Sequence, residues 1–225
     1  MRITQYKALG FSCYGTLMDR EGGVLEGLRP LLAHTQPKWL MAAYVRTLGE
    51  LRTQAPSSGQ KALHAQTYLR LAQDLQQPED WDAGLAFGNN AGRWPIFEDA
   101  PGALMYLSKF YRLVLLPPAD MDDATVLTER LPVTFDAIVD HRAEDPHSAL
   151  DKALKTLDLD RSDLLPVRSP ATDDPWQGVV DFPVCTLRRR HGLPWQKAAQ
   201  AIDVKRCEYA SLADLVHAHQ IALRA

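Results

Sequence analysis

Several polar side chains of the 225-residue sequence lie at or just after the ends of short apolar segments. The set is Ser12, Tyr14, Thr16, Asp120, Arg142 and Asp173. Hydroxyl and carboxylate groups serve as nucleophiles, acids and bases in enzymes, and arginine binds anions. In open parallel sheets the ligand site lies at the carboxyl ends of the strands. We therefore expect any chemistry of this chain at these segment ends.

Each of these residues also has a plain structural interpretation. A serine such as Ser12 is a weak nucleophile unless a base lies beside it. Asp120 and Asp173 each precede a helical pattern and could serve as helix caps. His141 and His147 have no spacing that is typical of zinc ligands, so we interpret them as loop residues.

The elements that would position these residues follow from the hydrophobic pattern. Short apolar runs predict strands at 7–13, 111–116, 135–139, 164–167 and 183–187. Helical patterns predict helices at 99–110, 120–130, 146–157, 173–179 and 211–224. A longer helical block at 20–95 separates the first two strands. The fold class is therefore α/β, with a parallel-sheet core (1–19 and 96–225) that is interrupted after the first strand by a helical insert (20–95).

Composition narrows the function classes. The net charge of -3 gives no electrostatic reason to expect nucleic acid or an anionic membrane as a partner. No apolar run reaches the roughly 20 residues of a membrane-spanning helix, and the first residues lack a signal-peptide pattern. The three cysteines fit neither a disulfide framework nor a metal site. We expect a cytoplasmic protein with reduced thiols.

Two basic features near the carboxyl end are expected at the surface. The arginines at 188–190 predict a solvated basic turn, with anion binding as the alternative. His217 and His219 lie on the last predicted helix, and we expect both on its solvent-facing side.

Three stretches of the sequence resemble one known family. Residues 11–19 read FSCYGTLMD, which is similar to motif one, FDxYGTLxD, of the type II branch of the haloacid dehalogenase (HAD) superfamily. Residues 22–32 (GGVLEGLRPLL) and 87–99 (FGNNAGRWPIFED) resemble the beginning and end of that branch's helical cap. The resemblance implies a Rossmann-like core, a helical cap and an active site between them. Thr16 and Trp94, which lie in these stretches, are candidate ligand contacts.

The resemblance implies that Ser12 occupies the position of the family's aspartate nucleophile. In the family this carboxylate forms an ester, and water then attacks the ester carbonyl. A serine that displaced halide from carbon would form an ether, which has no carbonyl for water to attack. Tyr14 stands where phosphatase members carry a second aspartate. Standard aspartyl-ester chemistry is therefore not expected here.

The remaining family motifs are also altered. Prolines 117 and 118 stand where motif two has a serine and an asparagine, and proline offers no hydrogen-bond donor. The motif-three region lacks its lysine, which leaves Arg142 as a substitute cation. Asp173 best matches an acidic residue of motif four. No cofactor or metal is expected, and Mg²⁺ is disfavoured because Ser12 cannot supply the motif-one carboxylate.

Three functions remain open. The first is a pseudoenzyme that binds a small molecule or a protein partner between cap and core. The second is an active hydrolase with rewired residues, drawn from Ser12, Tyr14, Asp120, Asp140, His141, Arg142 and Asp173. The third is a structural or oligomeric subunit, such as a homodimer.

Overall fold

The computed structural model describes most of the chain in seven stretches. These are residues 2–55, 58–117, 121–140, 145–170, 176, 183–189 and 207–224. Contacts between Cα atoms divide the chain into two compact units. The sheet unit contains the described residues up to Asp19 and from Ile96 onward, and the helical unit contains those of Arg20–Pro95.

The sheet unit is built on six parallel strands. They are β1 (Ala8–Ser12), β2 (Arg112–Leu116), β3 (Ala137–Ile138), β4 (Leu164–Arg168), β5 (Cys185–Leu187) and β6 (Glu208–Tyr209). Their order in the sheet is β3-β2-β1-β4-β5-β6, and every neighbouring pair is parallel. The central strand β1 is buried along its whole length, which explains its continuous apolar sequence.

Helices cover the sheet. They are α6 (Ala100–Leu107), α7 (Met121–Glu129), α8 (Pro146–Thr156) and α9 (Leu212–Ala222). Helix α8 buries Ala149, Leu150 and Leu154 in one core cluster with Val114 of β2 and Leu164 of β4. Asp145 caps α8 by accepting hydrogen bonds from two backbone N–H groups of its first turn. The predicted α/β class with a parallel sheet is therefore confirmed.

The helical unit consists of α1 (Arg20–Gly27), α2 (Arg29–Leu32), α3 (Pro37–Gln54), α4 (Gln60–Asp74) and α5 (Trp81–Asn89). Helices α4 and α5 approach closely at Gly88, where a Cβ atom would clash with the carbonyl oxygen of Lys61. None of the helices in the described stretches combines the length and the apolar character needed to cross a membrane.

One strand of the structure is absent from the prediction, and one predicted helix lies outside the described residues. Strand β6 was not predicted, because two residues that include a glutamate form no apolar run. The predicted helix 173–179 lies outside the described residues except for Trp176.

Candidate functional site

Ser12 ends the central strand β1, and its side chain belongs to a buried hydrogen-bond network. Its hydroxyl lies 2.7 Å from Oγ1 of Thr16. The same Thr16 oxygen accepts a hydrogen bond of 2.9 Å from the backbone N–H of Ser169, just after β4. Ser12, Thr16 and Ser169 are all buried. The network therefore joins the carboxyl ends of two adjacent strands.

A tight turn brings Thr16 back to Ser12. The carbonyl oxygen of Cys13 accepts hydrogen bonds from the N–H groups of Leu17 and Met18, at 2.9 and 3.0 Å. Gly15 has a φ of 73°, a left-handed conformation that favours glycine. A Cβ atom at Gly15 would lie 2.8 Å from the Ser169 side chain, so the turn packs directly on the end of β4.

The surroundings of Ser12 limit what its hydroxyl can do. Within the stretches that the structure describes, no carboxylate or imidazole lies within hydrogen-bonding distance of this hydroxyl. A serine is activated as a nucleophile by an adjacent base, and a threonine hydroxyl is not one. The described network can hold the strand ends together, but it contains no group that would take a proton from Ser12.

Arg189 follows β5 and reaches the same turn. Its guanidinium donates a hydrogen bond of 2.8 Å to the carbonyl oxygen of Thr16 and pairs with Asp99 at 3.0 Å. Its Cζ atom lies 3.6 Å from the centre of the Phe97 ring. Only 6% of Arg189 is exposed, and Arg188 pairs with Glu208. The prediction of a solvated basic turn is therefore wrong for Arg189, whereas Arg188 is partly exposed.

The carboxylate of Asp99 is shared by several groups. It accepts hydrogen bonds from both terminal nitrogens of Arg189, at 3.0 and 3.2 Å. It also accepts the N–H groups of Leu212 and Ala213 at the start of α9, at 2.8 and 3.3 Å. An acidic group is stabilised at the positive end of a helix. Asp99 thus connects the first turn of α9 to the segment that follows β5.

The ends of β2 and β4 are joined through Trp176. The indole N–H donates to the carbonyl oxygen of Pro117 at 2.9 Å, and Arg168 donates to the carbonyl oxygen of Trp176 at 3.0 Å. Trp176 is almost fully buried. Pro118, which the resemblance places in motif two, lies outside the described residues.

The predicted site residues are only partly described. Tyr14 is half-buried and forms a β-bridge with Met18. Trp94 is buried in the helical unit, where its ring packs edge-on against His64 at 5.5 Å between centroids. Whether either residue, or Thr16, contacts a ligand stays a prediction. Asp140 is exposed at the end of the described stretch that follows β3. Four other candidates lie outside the described stretches, namely Asp120, His141, Arg142 and Asp173.

His219 departs from the sequence-based expectation of a surface residue. It is 1% exposed, and its ring packs against Tyr106, Phe110 and Tyr111 at centroid distances of 5.6, 4.8 and 5.2 Å. Burial lowers its pKa because the charged imidazolium is poorly solvated there. His219 follows Leu212 by seven residues and Leu215 by four, so helical periodicity places it on the buried face of α9 and could have predicted its inward orientation.

Sequence reasoning missed the network's most connected residues. Ser169 contributes through its backbone N–H, which carries no side-chain signature. Asp99 and Arg189 lie 90 positions apart, so no local pattern reveals that they pair. Among the described residues, no group of three or more histidine, cysteine, aspartate or glutamate residues is arranged to hold a metal ion.

This chain is similar to known proteins in structure but not detectably in sequence. No protein-family model matches the sequence, and no curated protein sequence is significantly similar to it. The structure of L-2-haloacid dehalogenase from Xanthobacter autotrophicus matches with a TM-score of 0.70 and 17% identity, covering 94% of this chain and 97% of that chain. The same enzyme with chloropropionic acid covalently bound matches with a TM-score of 0.69, 17% identity and the same coverage.

A third similar structure is a defluorinating L-2-haloacid dehalogenase. Its TM-score is 0.70 at 14% identity, and the match covers 100% of this chain and 99% of that chain. These similarities extend over nearly the whole of each protein. The chain therefore has the fold of the L-2-haloacid dehalogenases that it matches.

Proposed function

We propose that this chain is a catalytically degenerate haloacid dehalogenase-like protein that binds a small carboxylic acid at the carboxyl edge of its sheet. The proposal rests on the position and the hydrogen bonding of the Ser12 hydroxyl. Its hydroxyl stands at the tip of the central strand, is buried, and is hydrogen-bonded to Thr16.

A serine at position 12 argues against catalytic turnover by the aspartyl-ester reaction of the family. The family resemblance assigns Ser12 to the place of the nucleophilic carboxylate. Attack by a serine oxygen on a halogen-bearing carbon would give an ether, and water cannot reopen an ether as it reopens an ester. A serine at this position would therefore react at most once per chain.

The retained architecture supports a binding role. The turn after β1 is held by Arg189, by Ser169 and by its own backbone hydrogen bonds, so its conformation is well determined. Tyr14 and Gly15 of this turn remain partly exposed. A fixed, partly exposed turn at strand ends is where α/β proteins bind ligands.

The ligand class is suggested by a structural relative. The dehalogenase of Xanthobacter autotrophicus has been seen with chloropropionic acid covalently bound. A short 2-substituted carboxylic acid is therefore the first ligand to test. In this chain we propose that such an acid binds reversibly, because Ser12 cannot form the ester.

The test combines turnover with binding on the purified protein. Halide release from 2-chloropropionate and hydrolysis of p-nitrophenyl phosphate should both stay at background. Titration calorimetry with 2-chloropropionate and with lactate should show saturable binding. If neither acid binds, the proposed ligand class is refuted.

Replacement of Ser12 by aspartate tests whether the loss is confined to one residue. We expect Ser12→Asp to remain inactive, because motifs two and three of the family pattern are altered as well. Ser108→Asp, at an exposed serine, controls for the added charge. Dehalogenation by Ser12→Asp alone would mean that degeneracy is confined to the nucleophile. Turnover by the wild-type protein would favour the rewired hydrolase instead.

A further inference from the structure

Two of the three cysteines are neighbours across the sheet. Strands β5 and β6 pair in parallel with Thr186 opposite Glu208, which puts Cys185 opposite Cys207 one position earlier. The N–H of Thr186 donates to the carbonyl oxygen of Cys207 at 2.9 Å, which fixes this register. Neighbouring strands lie about 4.8 Å apart. This spacing falls within the range of Cα separations that a disulfide can bridge.

The two side chains meet on one face of the sheet. Residues at opposite positions of paired strands lie close to each other on one face, so the register places the Cys185 and Cys207 side chains side by side. Tyr209 follows Cys207 by two positions, in β6. Both cysteines are free and almost fully buried. The structure thus holds a preformed dithiol with a phenol beside it.

The environment makes the two thiols unequal. The pKa of Cys207 is lowered, first by its hydrogen bond to Cys185 and also by its hydrogen bond to Tyr209, since both stabilise a thiolate. The pKa of Cys185 is raised well above its ordinary value, mainly by burial. The thiolate is the reactive form of cysteine, so Cys207 is the better nucleophile of the pair.

The position of Cys207 in the fold offers a route for a small reagent. Cys207 immediately precedes β6, a two-residue strand at one end of the described sheet order. Its φ of 60° places it in a left-handed conformation that is costly for a residue other than glycine. Short outer elements open locally at a lower free energy than a central strand.

We propose that Cys185 and Cys207 form a site of oxidative modification, at which a peroxide joins them in an intramolecular disulfide. The Cys207 sulfur attacks one oxygen of hydrogen peroxide, and the O–O bond breaks to give a sulfenic acid and, after protonation, water. The Cys185 sulfur then attacks the sulfenic sulfur. The S–S bond forms, the S–O bond breaks and a second water leaves. Both sulfurs are oxidised, and one peroxide is reduced to two waters.

The experiment follows the thiols of the full-length protein. Native protein is treated with hydrogen peroxide, quenched, alkylated in denaturant and digested for mass spectrometry. We expect loss of two of the three thiols, with Cys185 and Cys207 joined in one peptide pair whose mass is lower by two hydrogens. A thiol reductant should restore both, and Cys13 should remain alkylated.

Variants and alternative outcomes make the proposal refutable. Cys207→Ser should abolish the cross-linked peptide pair, whereas Cys13→Ser should leave it unchanged. Tyr209→Phe should slow its formation, because it removes a group that stabilises the thiolate. Disulfides between chains, disulfides that include Cys13, or sulfinic acids without a disulfide would overturn it. So would a native protein that keeps all its thiols under peroxide that oxidises the unfolded chain.

Discussion

Replacement of Thr16 by valine tests whether the network at the end of β1 is part of the protein's stability. The two side chains have nearly the same shape, but valine has no oxygen. The variant leaves the Ser169 N–H and the Ser12 hydroxyl without the partners that they have at 2.9 and 2.7 Å. Both residues are largely buried, at 5% and 6% exposure, so water cannot readily replace Oγ1.

The magnitude follows from these two lost hydrogen bonds. A buried polar group left without a partner costs about 1–3 kcal/mol. The backbone N–H of Ser169 is fixed and should incur this cost fully, whereas the Ser12 hydroxyl can rotate. We therefore expect Thr16→Val to lower the free energy of unfolding by about 2–4 kcal/mol. Ser12→Ala should cost about 1 kcal/mol, because Thr16 keeps its bond to Ser169.

Urea unfolding followed by circular dichroism measures both variants. Thr16→Val should lower the midpoint without changing the m-value. In the double variant, Ser12→Ala should cost less than it does alone, since its partner has already gone. Thr156→Val is the matched control, because that threonine is exposed on α8 and bonds only within its helix. A Thr16→Val protein as stable as this control would refute the reasoning.

Further predictions concern groups near the same turn and in α9. Asp99→Ala should lower the free energy of unfolding by about 3 kcal/mol, because it leaves the buried Arg189 guanidinium without its carboxylate. Gly15→Ala should cost at least about 2 kcal/mol, from its φ of 73° and the clash at 2.8 Å. Burial lowers the pKa of His219, so the contribution of the neutral His219 side chain to the free energy of unfolding should be fully present above about pH 6.5. It should fall as the pH drops toward the lowered pKa, because the unfolded chain then binds the extra proton. Thermal or urea unfolding of each protein checks these values.

Matched variants separate these effects from general damage. Asp151→Ala breaks an exposed ion pair and should cost less than about 1 kcal/mol. Gly102→Ala adds a Cβ in open space within α6 and should not destabilise. His219→Phe should remove the fall in stability that the wild-type protein shows below about pH 6.5. An Asp99→Ala cost as small as that of Asp151→Ala would contradict the role of the buried pair.

The sequence predicts this fold well where burial is continuous. β1, β2 and β4 are apolar runs because both faces of a parallel sheet are covered, and helix α8 has a clear apolar side. Prediction fails where an element depends on a distant partner. β6 exists because β5 supplies its hydrogen bonds, and its two residues carry no signal of their own.

In the candidate site, too, some residues could be predicted from the sequence and others could not. The position of Ser12 follows from a local motif and a strand end, both visible in sequence. The burial of Arg189 does not, because three consecutive arginines look alike until Asp99 is brought beside one of them. The inward orientation of His219 follows from its spacing after Leu212 and Leu215, but the rings that pack on it, Tyr106 and Phe110, come from another part of the chain and are not visible in sequence.

The two chain segments that flank the helical insertion are joined to each other, which bears on how this protein could change in evolution. The chain leaves the sheet unit after Asp19 and returns at Ile96, which forms an antiparallel bridge with Met18. Beside it, the N–H of Phe97 donates to the carbonyl oxygen of Leu17 at 3.0 Å. These backbone contacts hold the two ends of the insertion side by side within the sheet unit. Shortening, lengthening or exchanging the insertion would leave the strand connections of the sheet as they are, so the two parts are free to diverge separately.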